Sequence, residues 1–103
     1  MPDYALGNMV FKWSEAKAEK NKKKHGITFQ EAASAFNDPN AELFDDEEHS
    51  FSENRYLLLG YSEMSNLIIV CHCYILDDDD SIRIISARKA QNYERRIYEE
   101  RRR

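Results

Sequence analysis

The chain contains few of the residues that interrupt or cross-link a fold. Its 103 residues include three glycines, two prolines and two cysteines. So few Gly and Pro residues, together with 42% hydrophobic residues, exclude a low-complexity or disordered polypeptide. Cys71 and Cys73 lie two positions apart on a predicted strand, which is poor geometry for a disulfide bond. We therefore expect one hydrophobic core, unassisted by disulfides, in the reducing cytoplasm.

Long apolar segments are also missing. No stretch approaches the roughly 20 apolar residues of a membrane-spanning helix. The first nine residues lack the apolar run of a signal peptide and contain Pro2, Asp3, Gly7 and Asn8. The sequence therefore predicts a single domain over residues 1–103 with no membrane partner.

The net charge of −4 conceals a separation of charge along the chain. Residues 11–37 hold six Lys against three acidic residues, and residues 81–103 hold eight basic residues against three acidic ones. The acidic residues concentrate in segments 38–53 and 77–80. Because the local potential governs docking, the two basic segments are able to form one face that binds nucleic acid. The acidic loop 45–53 is then a candidate docking site for a basic partner, to be tested by charge reversal at Asp45, Asp46, Glu47 and Glu48.

Hydrophobic periodicity and capping residues predict the element order β-α-α-β-β-β-β-α. Ser14 and Gly26 bracket the first helix, and a capping box from Thr28 to Glu31 opens the second. The last two strands are expected to pair as an antiparallel hairpin, giving an α+β fold with helices packed on a twisted antiparallel sheet. The predicted elements are strands at 9–13, 41–44, 56–61, 67–76 and 81–88 and helices at 15–25, 28–37 and from 90 onward.

An ordered set of short motifs covers nearly the whole chain, from about residue 9 to about residue 100. No single motif is decisive, but together in this order they resemble the BrnT toxin family. The matching residues are Phe11-Lys12-Trp13, Lys17, Asn21, Lys24-His25-Gly26, Phe29, Glu31-Ala32, Phe36-Asn37-Asp38-Pro39, Glu53-Asn54-Arg55, Gly60, the segment 82–90, Glu94-Arg95-Arg96 and Tyr98.

The resemblance implies a RelE-like fold and an endoribonuclease toxin that cleaves mRNA and arrests growth. It also implies a BrnA-type antitoxin with a ribbon-helix-helix part, through which the pair would bind its operator DNA. The family pattern begins near Phe11, so residues 1–8 are interpreted as an N-terminal extension. Two departures stand out: Ser14 replaces the acidic residue usual after the tryptophan, and an Asp run replaces a shorter glycine-containing turn at 77–80.

Cleavage of RNA without a metal or cofactor requires proton transfer and stabilisation of extra charge on the phosphate. Arginine suits the second task, and the candidates are Arg55, Arg83 and Arg88 together with Lys89. In a regular strand Arg83 and Arg88 point to opposite faces, so only a β-bulge would allow both to serve one site. Arg88 is the preferred phosphate ligand, with a structural ion pair as the alternative for each arginine.

The proton carriers are harder to assign. His72 is a candidate catalytic residue, although a histidine in an apolar strand is more often part of the core. His25 fits a helix cap and His49 a solvated loop. The Cys71-His72-Cys73 segment does not predict a zinc site, because alternation turns His72 away from the cysteines. The Asp77–Asp80 run is interpreted as a solvated turn rather than a Mg²⁺ site.

The remaining basic residues are candidate contacts to the RNA backbone: Lys17, Lys24, His25 and Lys89. The face of the first helix that carries Lys17, Asn21 and Lys24 is expected to be solvated or to touch a ligand. A second hypothesis remains open, in which the protein binds nucleic acid or acts as a co-repressor without catalysis.

Overall fold

A computed structural model describes residues 3–49, 53–75 and 81–101 of the chain. The predicted Asp77–Asp80 turn and the centre of the acidic loop, residues 50–52, lie outside this part. The described elements are, in chain order, β1 (Asp3–Leu6), β2 (Met9–Lys12), α1 (Glu15–His25), α2 (Phe29–Ser34), a 3₁₀ turn (Ala35–Asn37), β3 (Glu42–Asp45), a second 3₁₀ turn (Glu47–His49), β4 (Tyr56–Tyr61), β5 (Leu67–Ile75), β6 (Ser81–Lys89) and α3 (Asn92–Arg101).

The strands form one six-stranded sheet in the order β1-β2-β6-β5-β4-β3. The predicted α+β class and the antiparallel pairing of the last two strands are confirmed. The sheet is mixed rather than wholly antiparallel, because β2 runs parallel to β6 through Phe11 and Lys12. Strand β1, which the sequence did not predict, forms an edge hairpin with β2. None of the described helices is long and apolar enough to cross a membrane.

Different helices pack against the two faces of the sheet. Helices α1 and α2 pack against the first face, where Phe11, Phe29, Ile68, Val70 and Ile84 are almost fully buried in the larger core. Helix α3 covers only one end of the second face. There a smaller cluster of buried residues forms, namely Leu59, Leu67, Ile69 and Tyr98. The rest of the second face is left for polar and charged side chains.

The predicted helix caps are largely confirmed. The Ser14 hydroxyl accepts a hydrogen bond from the Lys17 N–H at 3.4 Å, and Gly26 ends α1 in the left-handed conformation at φ 74°. The Thr28 hydroxyl likewise accepts from the Glu31 N–H at 3.0 Å. The Glu31 carboxylate does not complete the predicted capping box. It instead accepts hydrogen bonds at 2.7 Å from residues 62 and 66 and fixes the turn between β4 and β5.

Two of the motif residues hold the framework around α3. Asp38 accepts hydrogen bonds from the Tyr61 N–H at 2.8 Å and from the Tyr98 hydroxyl at 2.7 Å, which joins α3 to β4. Gly60 lies where a Cβ atom would be 3.1 Å from the Ala41 Cβ and 3.2 Å from a backbone carbonyl. A side chain at position 60 would therefore push the segment after α2 away from the sheet.

Candidate functional site

A β-bulge in β6 decides which side chains share a face of the sheet. Cys71 of β5 pairs with Ser86, but the next residue, His72, pairs with Ile84, so Ile85 is an extra residue in β6. This insertion reverses the alternation between the two halves of β6. The expectation that Arg83 and Arg88 point to opposite faces is therefore wrong.

The register of β5 places both arginines on the face opposite α1 and α2. Arg83 lies beside Cys73 and Arg88 beside Ile69, and residues 69, 71 and 73 point to the same side of β5. Arg55, just before β4, joins them through Glu53, whose carboxylate lies next to both Arg55 and Arg83. We call the surface formed by Arg55, Arg83 and Arg88 the arginine face. Lys12 pairs with Arg83 across β2 and β6 and so extends this face, a contribution the sequence did not reveal.

A cleft of about 390 Å³ opens on the arginine face. Its walls come from four parts of the chain: the end of α1, the second 3₁₀ turn, the central strands and the start of α3. The polar side chains that line it include His25, His49, Arg55, Ser86, Arg88 and Tyr93.

Arg88 is held at the cleft by a bidentate ion pair with Glu94 of α3. The two nitrogen–oxygen distances are 2.8 and 2.9 Å, and the Lys89 carbonyl accepts a third hydrogen bond from the guanidinium at 3.2 Å. A guanidinium has five N–H donors, so two remain for an anion in the cleft. Donation of hydrogen bonds to the Glu94 carboxylate raises the pKa of Arg88. Burial raises the pKa of Glu94, but hydrogen bonds from Arg88 and a backbone N–H outweigh it, and the net pKa is lowered.

Glu53 links the other two arginines. Its carboxylate accepts from the Arg83 guanidinium at 2.7 Å and lies 3.5 Å from the Arg55 Nε. Burial acts to raise the pKa of Glu53, yet the charges of Arg83 and Arg55 and their hydrogen bonds lower it overall. The carboxylate therefore stays ionised and keeps two like charges on the same face.

His72 lies away from the arginine face. It is fully buried under the helices, with Nδ1 3.0 Å from the Val70 carbonyl and the Phe36 ring packed against it. Burial lowers the pKa of His72, which favours the neutral imidazole. The structure thus places this candidate among the core residues, and we do not include it in the proposed site.

Of the candidate RNA contacts, only His25 lines the cleft. Lys17 and Lys24 are exposed on α1, and Lys89 points to the opposite side of β6 from Arg88. The predicted solvated role of Asn21 is wrong, because Asn21 is 6% exposed and bound to backbone groups. Its side-chain amide donates to the carbonyls of Ile27 and Ala87 and accepts from the Ala87 N–H.

Asn21 attaches the end of α1 to the edge of β6, next to the cleft. The pairing of β2 with β6 covers Ile82 and Arg83 only, which leaves the β6 edge at Ala87 to another partner. The Asn21 amide fills that position as a neighbouring strand would, at distances of 2.8 and 3.0 Å. One turn later α1 ends with His25 at the cleft.

His49 is a residue at the cleft whose position the sequence did not predict. Its Nδ1 lies 3.1 Å from both carboxylate oxygens of Asp46, which is buried although it belongs to the acidic loop. In the sequence, only the spacing Asp-x-x-His indicated that these two side chains could meet across one 3₁₀ turn. Buried Asp46 also differs from its exposed neighbours Asp45, Glu47 and Glu48, so the acidic loop is not uniformly solvated.

A comparison with known protein families gives a match. The family model for the ribonuclease toxin BrnT of type II toxin-antitoxin systems matches residues 13–94, well over half of the chain. No curated protein matches the sequence. The matched segment runs from the end of β2 to Glu94 and so contains Arg55, Arg83 and Arg88. The chain belongs to the BrnT family of ribonuclease toxins of type II toxin-antitoxin systems.

Proposed function

We propose that the protein is an endoribonuclease that cleaves mRNA at the arginine face without a metal ion and thereby arrests translation and growth. The observation that carries this proposal is the convergence of Arg55, Arg83 and Arg88 on one face through the β6 bulge. The guanidiniums of Arg55 and Arg88 line the open cleft, with Arg83 on the same face beyond its lining, and such groups suit the extra negative charge of a pentavalent phosphate. The RNA backbone would enter along the cleft, since single-stranded RNA is accessible to such a surface.

The ion pairs of the arginine face support a role in positioning. Glu53 and Glu94 fix the guanidiniums before the substrate arrives, so less conformational entropy is lost on binding. The same ion pairs partly neutralise the positive charge of the arginines. This partial neutralisation favours the rival hypothesis, in which the protein binds RNA without cutting it. Cleavage itself distinguishes the two hypotheses.

The decisive experiment is inducible expression of the wild type and of Arg88→Ala, followed by mapping of RNA ends. Arg88→Ala should abolish growth arrest and the new ends. Because this change leaves the Glu94 carboxylate without its guanidinium, Arg88→Lys serves as a second variant that retains a cation but loses the planar fork. Arg96→Ala, an exposed arginine of α3, is the matched control and should remain toxic.

Three outcomes would each contradict a part of the proposal. A folded Arg88→Ala protein with wild-type toxicity would remove Arg88 from the site. Purified wild type that binds but never cuts mRNA, with or without ribosomes, would favour the non-catalytic hypothesis. Cleavage that persists in EDTA supports metal independence, and cleavage lost in EDTA contradicts it.

We further propose that a BrnA-type antitoxin with a ribbon-helix-helix part neutralises the toxin in the cytoplasm and that the complex represses its operator. A basic antitoxin segment would dock on the exposed acids Asp45, Glu47 and Glu48. Charge reversal at these three positions should weaken the measured affinity for the antitoxin. Asp46 is left unchanged, because it is buried against His49 and its reversal would disturb the fold.

A further inference from the structure

We propose that His49, held by Asp46, is the general base that activates the 2′-hydroxyl of the RNA. This inference rests on the proposed function and assigns a residue to its missing step. The arginines can stabilise charge, but an arginine remains protonated and is a poor proton acceptor at neutral pH. Imidazole is the side chain that ordinarily titrates in this range.

The position of His49 fits this task. It lines the same cleft as Arg55 and Arg88, and its side chain is 58% exposed, so an RNA hydroxyl is able to reach it. His72 is enclosed in the core on the other face. Among the described residues, the other histidine at the cleft is His25, for which the structure shows no carboxylate at hydrogen-bonding distance.

Asp46 determines which nitrogen of the His49 ring can accept a proton. An ionised carboxylate only accepts hydrogen bonds, so the Nδ1 atom facing it at 3.1 Å carries the hydrogen. The lone pair is then on Nε2, the atom that is able to accept a proton. Asp46 also stabilises the imidazolium that forms when Nε2 becomes protonated.

Asp46 is itself fixed to the scaffold of the site. Its N–H donates to the Arg55 carbonyl at 2.9 Å, its carbonyl accepts from the His49 N–H at 3.2 Å, and its carboxylate accepts from the Cys71 thiol at 3.6 Å. Asp46 is 6% exposed. These contacts tie the 3₁₀ turn that carries His49 to Arg55 and to β5, the neighbour of the strand β6 that carries Arg83 and Arg88. Asp46 is thus a positioning residue, and His49 is the catalytic one.

The proton balance of the step is complete. His49 Nε2 takes the proton of the 2′-hydroxyl, and the 2′-oxygen forms a bond to the adjacent phosphorus. The bond from phosphorus to the 5′-oxygen breaks, and that oxygen takes a proton from water in the open cleft. The products are a 2′,3′-cyclic phosphate and a 5′-hydroxyl end, and the imidazolium returns its proton to solvent.

The charged and titratable groups that face the His49 ring come from several elements. Asp46 and Glu48 lie just before and within its own turn, Arg55 just before β4, Cys71 on β5 and Arg88 on β6; His25 and Tyr93 complete the wall. Of these, burial is the main reason that the pKa of Cys71 rises to about 11, so the thiol stays neutral through the working range. The Cys71 thiol therefore adds no change of charge to a pH profile measured near neutrality.

The test measures single-turnover cleavage of an end-labelled, in vitro transcribed mRNA across a range of pH, with and without purified bacterial ribosomes. His49→Ala should lower the rate about 100-fold or more, as expected for loss of a general base. Free imidazole should restore part of the activity, which a purely structural role would not allow. His49→Ala should bind the same RNA as tightly as the wild type does, measured with 2′-deoxy nucleotides at the mapped cleavage site so that the RNA is not cut.

Asp46→Asn should lower the rate less and alter the pH profile, with the melting temperature checking its fold. Glu99→Gln, an exposed carboxylate of α3 outside the cleft lining, is the control and should cleave like the wild type. If the wild type cuts and His49→Ala cuts at the same rate with the same profile, His49 is not the base. If the wild type does not cut at all, the proposed function fails instead, so the two failures are distinguishable.

Discussion

Replacement of Asn21 by alanine should destabilise the protein more than any change on the exposed side of α1. The side chain is 6% exposed and makes three hydrogen bonds of 2.8–3.0 Å to backbone groups of residues 27 and 87. The substitution removes all three partners while it slightly improves helix propensity. The carbonyls of Ile27 and Ala87 and the Ala87 N–H are then left in an environment with little water.

The expected magnitude follows from these contacts. Each lost hydrogen bond is worth about 1 kcal/mol net, so the free energy of unfolding should fall by about 3 kcal/mol. A domain of this size has a total stability of roughly 5–15 kcal/mol. At about 4–8 °C per kcal/mol, the melting temperature should fall by roughly 12–24 °C.

Urea and thermal unfolding, followed by circular dichroism, measure the effect. Lys20→Ala, an exposed change on the same helix, is the control and should stay within about 0.5 kcal/mol of the wild type. Asn21→Asp keeps the size of the side chain but replaces both donors with an acceptor, so it should be at least as destabilising. This prediction would be refuted if Asn21→Ala lowered the free energy of unfolding by less than about 1 kcal/mol, or if Asn21→Asp left it unchanged. Either result would mean that the hydrogen bonds of Asn21 to the edge of β6 do not stabilise the fold.

Three further outcomes are expected. Tyr98→Phe removes the 2.7 Å hydrogen bond to the Asp38 carboxylate and should cost about 1.5–3 kcal/mol in urea unfolding. Tyr93→Phe removes only a 3.3 Å hydrogen bond from a half-exposed hydroxyl to Glu94 and should cost less. Burial and a neighbouring carboxylate raise the pKa of the Cys71 thiol to about 11, so iodoacetamide at pH 8 should label it only after unfolding; rapid labelling of the native protein would contradict this. The pKa of Glu94 is lowered from 4.5 in the folded protein, so its contribution to stability is present above pH 4.5 and lost as the pH falls through the folded pKa. As the pH is lowered below 4.5, the melting temperature of Glu94→Gln should therefore fall less than that of the wild type. An equal fall in both proteins would contradict the lowered pKa of Glu94.

Local signals in the sequence predicted most of the elements correctly. Helix α1 begins after Ser14 and ends before Gly26 as expected, because capping depends on neighbouring residues only. The strands from residue 56 onward were predicted within about one residue, since their apolar runs are long and end in polar segments. Strand β1 was missed because a short edge strand acquires its stability from the partner it pairs with, here β2.

The candidate site was only partly predictable. Arginine as the phosphate ligand followed from chemistry, and Arg55 and Arg88 do line the cleft. His72 was included and His49 was not, because burial and distance to a carboxylate depend on the packing of separate elements. Asp46 illustrates the difficulty: in the sequence it is one of four consecutive acids, and in the fold it is the buried one of the four.

By itself, the sequence determined the family, the composition of the core and the residues able to stabilise a phosphate. These depend on residue type and on short-range order along the chain. The tertiary structure alone decided which of those residues share a surface, because the extra residue Ile85 reverses the alternation within β6. That single bulge places Arg83 and Arg88 on one face, and regular alternation would have separated them.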